Sequence, residues 1–495
     1  KSIKLINSRY NLSLSTSDMK LNDKKVMKLF AKGDTIGVFQ FDSQGMREYL
    51  KQLIPTKFED LVAMTSLYRP GPMKNIPEFI KRKLGFSKIS YLDPSLEPIL
   101  KDTYGIIVFQ EQVMQIGAEI GGLTLAQSDL MRKAMGKKNK RLMATFKVDF
   151  VNGAKEKNIS QEVAISIFDL LEKFAEYGFN KSHATGYSVI SYQTAWLKRY
   201  YPAEFFATNL SSDIRDTDNL IKLIDDASHF DITVSPPNVN MSLNNFRVVD
   251  KNTIFFGLSA IKNVGQKVAE TIVKHRKKEN TTYKTIFDLV SIGGNSINRK
   301  SLESLILSGA TSELQGSMSQ QFDGIDIALK YAHHLNNKTN IDQANIFESG
   351  GVELNYPVPE LPDSEEWEKS NILAKEKEYL GLYLSGNPME SHIEDIKDFE
   401  IVPNSFSPNL LIRVGGIISD INLLYDKKND PWTIITLEGL RIKSEIFVFS
   451  KLYEIKKTLL EENNIIFVEG KFSNRQTKED KIYKIIADDI VPISE

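Results

Sequence analysis

The chain has 495 residues, no cysteine and a formal net charge of -1, from 63 lysines and arginines against 64 aspartates and glutamates. This composition excludes disulfides and thiolate metal sites, and the six scattered histidines offer no zinc-ligand spacing. No segment approaches the roughly 20 continuous apolar residues of a membrane helix, and the N-terminus has no apolar core for a signal peptide. We therefore expect a cytoplasmic protein of about three domains without a membrane partner.

A mainly helical block is predicted from about residue 24 to residue 212, because apolar positions recur every three or four residues. The pattern is clear in PEFIKRKLG, EQVMQIGAEIGGL and AISIFDLLEKFAEYGF. Proline and glycine at 68–72 and 121–122 predict turns or helix ends. The short segment 211–218, rich in Asp and Ser, is predicted to separate this block from the next one.

The sequence after residue 218 predicts mixed helix and strand to about residue 314. A Gln- and Asn-rich stretch follows, and then a loop-like segment at 347–367. From about residue 409 the apolar pattern changes to period two, which predicts strands. Five strands are predicted in LLIRVGGIISDINLL, WTIITLEGL, SEIFVFS, IIFVEGKF and KIYKIIADDIVPI, with one helical insert at KLYEIKKTLLEE. The fold class is therefore α+β multidomain, with helices first and an oligonucleotide-binding type of β-barrel (OB-fold) last.

The strongest chemical signal is a basic segment, RKAMGKKNKR at 132–141, which holds six cations and no acidic residue. Arginine and lysine neutralise phosphate charge, and Gly136 would let the backbone approach an oligophosphate closely. The alternative is a solvated basic helix face, which spacing alone does not exclude.

Five motifs between Gly33 and Arg199 carry a family resemblance. They are GDTIGVFQFDSQGM from Gly33, YRPGPM from Tyr68, YGIIVFQEQVMQI from Tyr104, MRKAMGKK from Met131 and FNKSHATGYSVISYQTAWLK from Phe179. In this order they resemble the fingers of the bacterial DNA polymerase III alpha subunits, the C-family polymerases. The resemblance implies four parts: the end of a palm or connector (1–33), fingers (34–213), a helix-hairpin-helix and sliding-clamp-binding region (214–395) and an OB-fold domain (396–495).

The resemblance implies that the fingers bind the triphosphate of the incoming nucleotide. Arg132 is the first candidate, because the family pattern has Arg at both positions of the pair and Lys133 cannot make a bidentate fork. The full candidate set for nucleotide binding is Arg132, Lys133, Lys137, Lys138, Arg69, Lys181 and His183. The alternatives stay open: Arg69 would be an exposed residue of a stiff turn, and Lys181 and His183 would be ordinary loop polar groups.

Other residues of this block are expected to be structural. We predict that Glu111 is not a catalytic carboxylate and that the polar run 110–112 holds the fingers together. The aromatic residues of the last motif are expected to be helix core rather than a stacking platform; they are Tyr187, Tyr192, Trp196, Tyr200 and Tyr201.

Two segments resemble helix-hairpin-helix units, which place backbone N–H groups against DNA phosphates. The first is FGLSAIKNVGQKVAETIVKHR, in which Lys267 replaces the usual second hairpin glycine; the second is SINRKSLESLILSGATSEL. The candidate DNA-binding residues in the two segments are Lys262, Gly265, Lys267, Arg299 and Lys300.

The string QANIF, from Gln343 to Phe347, resembles the sliding-clamp-binding motif of the family. In that motif Gln343 would make polar contacts, and Ile346 and Phe347 would fill a pocket on the clamp. A short loop anchored to its own domain is the alternative, since five-residue matches occur by chance.

The barrel is similar to the OB-fold domain of the family, whose expected ligand is the single-stranded template. The candidate DNA-binding residues in the barrel are Arg413, Lys427, Lys428, Trp432 and Phe447. Packing at a hairpin after Pro431 is the alternative role of Trp432.

The implied parent is a replicative DNA-directed DNA polymerase that uses two Mg²⁺ ions. Its partners would be deoxynucleoside triphosphates (dNTPs), primer-template DNA, the sliding clamp and other replicase subunits. The family's metal-binding carboxylates lie in a palm upstream of the first motif, so we expect neither catalytic nor metal-binding residues in this chain and no polymerase activity from it alone. The alternative functions are a non-catalytic DNA- and clamp-binding subunit, one half of a split polymerase, and a repair factor. The fingers motifs argue against the repair factor.

Overall fold

A computed structural model describes residues 1–137, 139–175, 178–291, 296–344, 357–392, 410–439, 443–473 and 482–492. The side chains of residues 175, 336–344 and 391–392 lie outside this description. The chain divides into two compact units: the first comprises Lys1–Val234 and Asn245–Phe255, and the second Ser235–Asn244 and Phe256–Glu495. The first unit thus continues past the predicted boundary at residue 213, while the functional boundaries within the chain stay predictions.

The first unit is mainly helical, as predicted. Its helices are α1 (Ser2–Tyr10), α2 (Lys24–Lys32), α3 (Gln44–Leu53), α4 (Phe58–Leu67), α5 (Ile76–Lys83), α6 (Glu97–Leu100), α7 (Gln110–Glu119), α8 (Leu125–Gly136), α9 (Lys140–Glu156), α10 (Gln161–Ala175), α11 (Lys181–Tyr200), α12 (Pro202–Ser212) and α13 (Thr217–Ser228). Three short strands, β1 (Thr233–Ser235), β2 (Arg247–Val248) and β3 (Thr253–Phe255), form a sheet in the order β1-β3-β2.

Polar caps fix the starts of the helices that carry the motifs. The side chain of Thr124 accepts a hydrogen bond from the backbone N–H of Gln127 at α8, and that of Asn180 accepts one from His183 at α11. Each bond satisfies a donor that has no partner inside its helix. At the end of α2, Gly33 adopts φ 68°, a left-handed conformation that favours glycine.

Helices α7 to α10 enclose one hydrophobic core of the first unit. Phe150 and Phe168 are fully or almost fully buried there, with ring centroids 5.5 Å apart. The backbones of Gly121 and Gly153 approach so closely that a Cβ on Gly153 would lie 2.0 Å from the carbonyl oxygen of Gly121. A side chain at either glycine would therefore separate α9 from the end of α7.

The second unit begins with helices and ends in a barrel. Its helices are α14 (Gln266–Glu279), α15 (Ile286–Ser291), α16 (Arg299–Leu307), α17 (Met318–Asp323), α18 (Ile325–Ala344), α19 (Lys369–Leu380) and α20 (Ser450–Lys456). The polar segment after residue 314 is thus helical over much of its length, and α18 includes Gln343 in its last turn.

All five predicted barrel strands are present. They are β4 (Leu411–Tyr425), β5 (Pro431–Glu438), β6 (Lys443–Val448), β7 (Ile465–Phe472) and β8 (Tyr483–Pro492), closed in the order β4-β5-β6-β8-β7. Strand β4 pairs antiparallel with both β5 and β7, while β6 and β8 run parallel. Alternate residues fill the interior, among them Ile435 and Ile446, and α20 follows β6 where a helical insert was predicted. The alternation of period two is the reason that the sequence reveals these strands.

Candidate nucleic-acid interface

Two of the motifs meet at a short backbone bridge in the first unit. The N–H of Phe179 donates to the carbonyl of Val108 at 3.1 Å, and the N–H of Gln110 donates to the carbonyl of Phe179 at 3.0 Å. The side chain of Gln110 adds a hydrogen bond to the carbonyl of Gly178, also at 3.0 Å. The bridge thereby fixes the start of α11, with Lys181 and His183, beside the start of α7.

A third motif joins this bridge through Arg132. Its Nη1 donates to Oε1 of Gln110 at 3.2 Å, while Nε and Nη2 donate to Oδ1 of Asp129 at 3.1 and 2.8 Å. These contacts use three of the five N–H groups of a guanidinium and leave two for a ligand. Gln110 is therefore the residue that connects Arg132 to the backbone beside α11.

Asp129 is a site residue that the sequence analysis missed. Its carboxylate also accepts from Nζ of Lys133 at 2.6 Å, so one carboxylate orients both members of the Arg-Lys pair. The bonds from Lys133 and Arg132 hold the pKa of Asp129 below its usual value. Spacings of three and four residues before two cations on a helix are the signal that could have identified it.

Glu111 and Gln112 have structural contacts, in keeping with the predicted role. The carboxylate of Glu111 accepts from the backbone N–H of Lys181 at 2.9 Å and from the Asn180 amide at 3.0 Å, so it caps α11. Gln112 is buried, accepts from the N–H groups of Val108 and Phe109, and donates to Thr103 Oγ1 at 2.8 Å. Both side chains hold the bridge between the motifs in shape.

Rings line one face of α11 beside the bridge. The centroid of the His183 ring lies 5.4 Å from that of Phe179 and 4.4 Å from that of Tyr187. The Tyr187 ring in turn contacts the exposed Phe39, with the centroids 5.5 Å apart. The guanidinium of Arg69 lies 4.1 Å from the centre of the Phe179 ring. A cation over an aromatic face is electrostatically favourable, and burial lowers the pKa of Arg69.

The predicted core role fits some of the aromatic residues of α11 but not all of them. Tyr192 is fully buried and accepts a hydrogen bond from the N–H of Asp23. Tyr187 is half-buried in the row of rings, and Tyr200 is 37% exposed. The row of rings, Phe39, Phe179, His183 and Tyr187, therefore offers an aromatic surface next to the cations, with neighbouring ring planes inclined by 33° to 68°.

The other described cations of the basic segment lie at the first two positions of α9, Lys140 and Arg141, and at the end of α8. Lys137 is the exposed C-cap residue of α8, and Lys138 lies outside the described residues.

The ammonium group of Lys181 lies 5.5 Å from the centre of the Phe109 ring. The structure thus brings Arg69, Arg132, Lys133, Lys181 and His183 around one bridge, an arrangement that can bind an anion beside a stacking surface.

In the second unit, the hairpin before α14 presents a helix start with no side-chain cap. Gly265 is the N-cap of α14, and its carbonyl accepts a hydrogen bond from the N–H of Ala269 at 3.2 Å, which begins the helix ladder. The N–H groups before Ala269 are therefore not used by the helix ladder. The N–H of Lys262 is occupied by the carbonyl of Tyr379 at 3.0 Å, whereas the side chains of Lys262 and Lys267 are exposed.

The second hairpin unit differs in how its cations are held. Asn298 caps α16 by accepting from the N–H of Ser301 at 2.9 Å. Arg299 forms an ion pair with Asp326, while Lys300 has an exposed side chain. A DNA phosphate would have to compete with Asp326 for Arg299, which makes Lys300 the more accessible cation of the two.

On the barrel, aromatic and basic residues surround a cleft of about 650 Å³. It is lined by Tyr425, Asp426, Lys427, Trp432, Phe449, Ser450 and Lys451. The rings of Trp432 and Phe449 lie 5.7 Å apart at 33°, and Phe449 and Tyr425 are 50% and 60% exposed. Exposed rings with lysines at their edge are the elements of a single-strand binding groove.

Only two of the five barrel candidates line this cleft, Lys427 and Trp432. Lys428 lies in the same turn, where its N–H donates to Asp426 at 2.7 Å. Arg413 is paired with Glu469 at 2.7 Å across β4 and β7, and Phe447 lies half-buried on β6 opposite Ile434. The cleft also contains Tyr425, Phe449 and Lys451, which the sequence analysis did not name. Tyr425 directly follows a predicted strand and Phe449 is next to the end of another, so the two rings could have been identified from their positions.

The remaining predictions concern residues or groups that the structure does not bring into a site. Among the described residues no group of three or more His, Asp or Glu side chains could hold a metal ion, so Mg²⁺ finds no fitting ligand set there. No described helix is long and apolar enough to cross a membrane. Asn345, Ile346 and Phe347 of the clamp motif lie outside the described residues, as does the side chain of Gln343.

Comparisons with known proteins agree with these elements. Residues 1–158 match the model of the bacterial DNA polymerase III alpha subunit finger domain, and residues 231–321 match a helix-hairpin-helix motif. The chain is 36% identical to the DNA polymerase III subunit alpha of Borreliella burgdorferi over 100% of this chain and 44% of that protein. It is 39% identical to that of Xylella fastidiosa Temecula1 (94% of this chain, 41% of that protein) and 35% identical to that of Escherichia coli K12 (93% and 41%).

The finger match covers the half of the bridge that holds Phe109, Gln110 and Arg132 and ends before Phe179, and the second match covers the hairpin before α14. The chain spans less than half the length of the curated relatives it matches. By these similarities the chain belongs to the bacterial DNA polymerase III alpha subunit family and corresponds to a part of such a subunit.

Proposed function

We propose that this chain is the part of a replicative DNA polymerase that binds the incoming dNTP and the primer-template DNA. The main support for this proposal is that five basic residues lie around the Phe109–Phe179 bridge: Arg69, Arg132, Lys133, Lys181 and His183. Arg132 and Lys133 are preoriented by Asp129, and the row of rings could pack against a nucleotide base. The Mg²⁺ ions of the parent reaction would be held by residues other than those described here.

In this proposal the second unit binds DNA. The uncapped start of α14 and the Lys262 and Lys267 side chains would bind duplex phosphates. The barrel cleft would receive single-stranded template, and the segment from Gln343 to Phe347 would attach the polymerase to its sliding clamp. Other replicase subunits would complete the assembly in the cytoplasm.

Removal of Arg132 tests the nucleotide site. In the complete polymerase, Arg132→Ala should weaken dNTP binding by about 1.5–3 kcal/mol, or roughly ten- to a hundredfold, because a charge-assisted contact to phosphate is lost. The measurement is the nucleotide KM and rate in single-nucleotide primer extension. Arg215→Ala is the matched control, since Arg215 is exposed outside the motifs. If Arg132→Ala leaves KM and rate at the wild-type values, the basic segment is only a solvated helix face.

Removal of the exposed Phe449 ring tests whether the barrel cleft binds single-stranded DNA. Phe449→Ala should weaken binding of a single-stranded oligonucleotide by about 1–3 kcal/mol, because one stacked base loses its platform. Fluorescence anisotropy with a labelled oligonucleotide measures this loss. Tyr453→Ala, on the adjacent helix α20 but not lining the cleft, is the control. Equal affinity of the Phe449 variant and the wild type would show that single strands bind elsewhere.

A further inference from the structure

The first unit contains a basic cavity that the proposed function does not use. The cavity has a volume of about 620 Å³ and is lined by Lys25, Lys28, Leu29, Lys32, Asp34, Arg199, His229 and Phe230. It is formed by α2, the C-terminal part of α11 and the residues that follow α13. None of these residues belongs to the Phe109–Phe179 bridge or to the basic segment 132–141.

Three lysines of the cavity share one face of α2. Lys25, Lys28 and Lys32 are separated by three and four residues, which places them on one side of a helix. They span about 10 Å along the helix axis, which corresponds to about three of the roughly 3.4 Å intervals between phosphates along one strand of duplex DNA. The spacing therefore suits a row of anions better than a single one.

The cavity carries an excess of positive charge. The three lysines and Arg199 face a single acidic lining residue, Asp34. The described ion pairs include none that involves Lys25, Lys28, Lys32 or Arg199, and all four residues are exposed. The Nδ1 atom of His229 lies 3.0 Å from the Asp225 carbonyl, which leaves Nε2 as the ring nitrogen for a ligand.

Buried contacts hold the cavity wall in place. Nζ of Lys198, adjacent to Arg199, donates to the carbonyls of Asp34 and Ile36 at 2.9 and 2.8 Å and to Asp226 at 2.6 Å. Its ammonium also lies 4.8 Å from the ring centre of Phe230, a lining residue. One buried cation thus joins the three chain segments that bear Asp34, Arg199 and His229. These contacts hold the backbone of the lining residues in place.

We propose that this cavity is a separate binding site for consecutive phosphate groups, supplied by a DNA strand or by a free oligophosphate. Lys25, Lys28 and Lys32 would contact successive phosphates, and Arg199 would add a fork of donors on the opposite wall. The site needs neither the nucleotide-binding cluster nor polymerase activity, so it goes beyond the proposed function.

The test uses the 495-residue chain with Lys28→Ala combined with Lys32→Ala. The control combines Lys20→Ala with Lys24→Ala, which removes the same charge from exposed lysines at and before the start of α2 that do not line the cavity. Circular dichroism and thermal unfolding confirm that both variants keep the fold. Fluorescence anisotropy with single-stranded DNA and calorimetry with tripolyphosphate separate the two sources of phosphate.

For a DNA ligand, affinity should fall several-fold in the cavity variant and not in the control. The slope of log affinity against log salt should become shallower by about 1.4, because two single-strand phosphate contacts contribute about 0.7 each. For a free oligophosphate, the loss should appear with tripolyphosphate instead. Equal binding by the cavity variant and the control in both experiments would overturn the site, and the Arg132 and Phe449 variants would still report on the proposed function.

Discussion

Lys198→Met should destabilise the first unit by about 3–5 kcal/mol, because it leaves a buried carboxylate without its cation. The side chains of Lys198 and Asp226 are 0% and 7% exposed, and they lie 2.6 Å apart. Met retains much of the side-chain volume but cannot donate to Asp226 or to the carbonyls of Asp34 and Ile36. Urea unfolding followed by circular dichroism measures the loss.

The control for this substitution is Lys147→Met, which breaks the ion pair with Asp169. That pair is 37% and 53% exposed, so its loss should cost no more than about 1 kcal/mol. A second variant, Lys198→Met with Asp226→Leu, removes both buried charges and should recover much of the stability. If Lys198→Met unfolds at the same urea concentration as Lys147→Met, the buried pair does not support the fold as inferred.

The pH dependence of Lys198→Met gives an independent check. Burial raises the pKa of Asp226, and the Lys198 cation opposes that rise. Without the cation, the folded chain should bind a proton at Asp226 more readily than the unfolded chain does. The deficit in stability should therefore shrink as the pH falls through the raised pKa and grow as the pH rises.

Truncation of the clamp motif should give the second large effect. Ile346→Ala with Phe347→Ala removes the two groups expected to fill a pocket on the sliding clamp, and each such anchor typically contributes at least about 2 kcal/mol. Clamp affinity should drop on the order of a hundredfold or more, and the two losses need not be additive. Surface plasmon resonance against the cognate clamp measures this loss.

The matched control for the clamp motif is Asn336→Ala with Asn337→Ala, two changes in α18 before the motif. Single-stranded DNA affinity should remain at the wild-type value in both variants, which separates clamp binding from DNA binding. Wild-type clamp affinity of the Ile346 and Phe347 variant would place clamp attachment outside this motif.

Much of the architecture follows from local patterns. The barrel strands were predicted because interior and exterior residues alternate along each strand, as Ile435 and Ile446 do in the core. The helices of the first unit were predicted from their period of three to four residues. The Asn- and Gln-rich stretch after residue 314 was different: it lacked a clear apolar stripe, and its helices α17 and α18 were not predicted.

Short motifs and periodicity depend only on neighbours along the chain, and they were enough to predict the family, the helical block, the barrel and the basic segment 132–141. The tertiary structure is needed to show which of these groups meet. Gln110 contacts Arg132, 22 residues away, and Gly178, 68 residues away. Lys198 contacts Asp34, 164 residues away, and Asp226, 28 residues away. The tertiary structure also shows that Arg413 pairs with Glu469 and that Tyr425 and Phe449 share a cleft. Hydrogen bonds, ion pairs and clefts depend on distances in space, and those distances are fixed by strand register and helix packing rather than by local sequence.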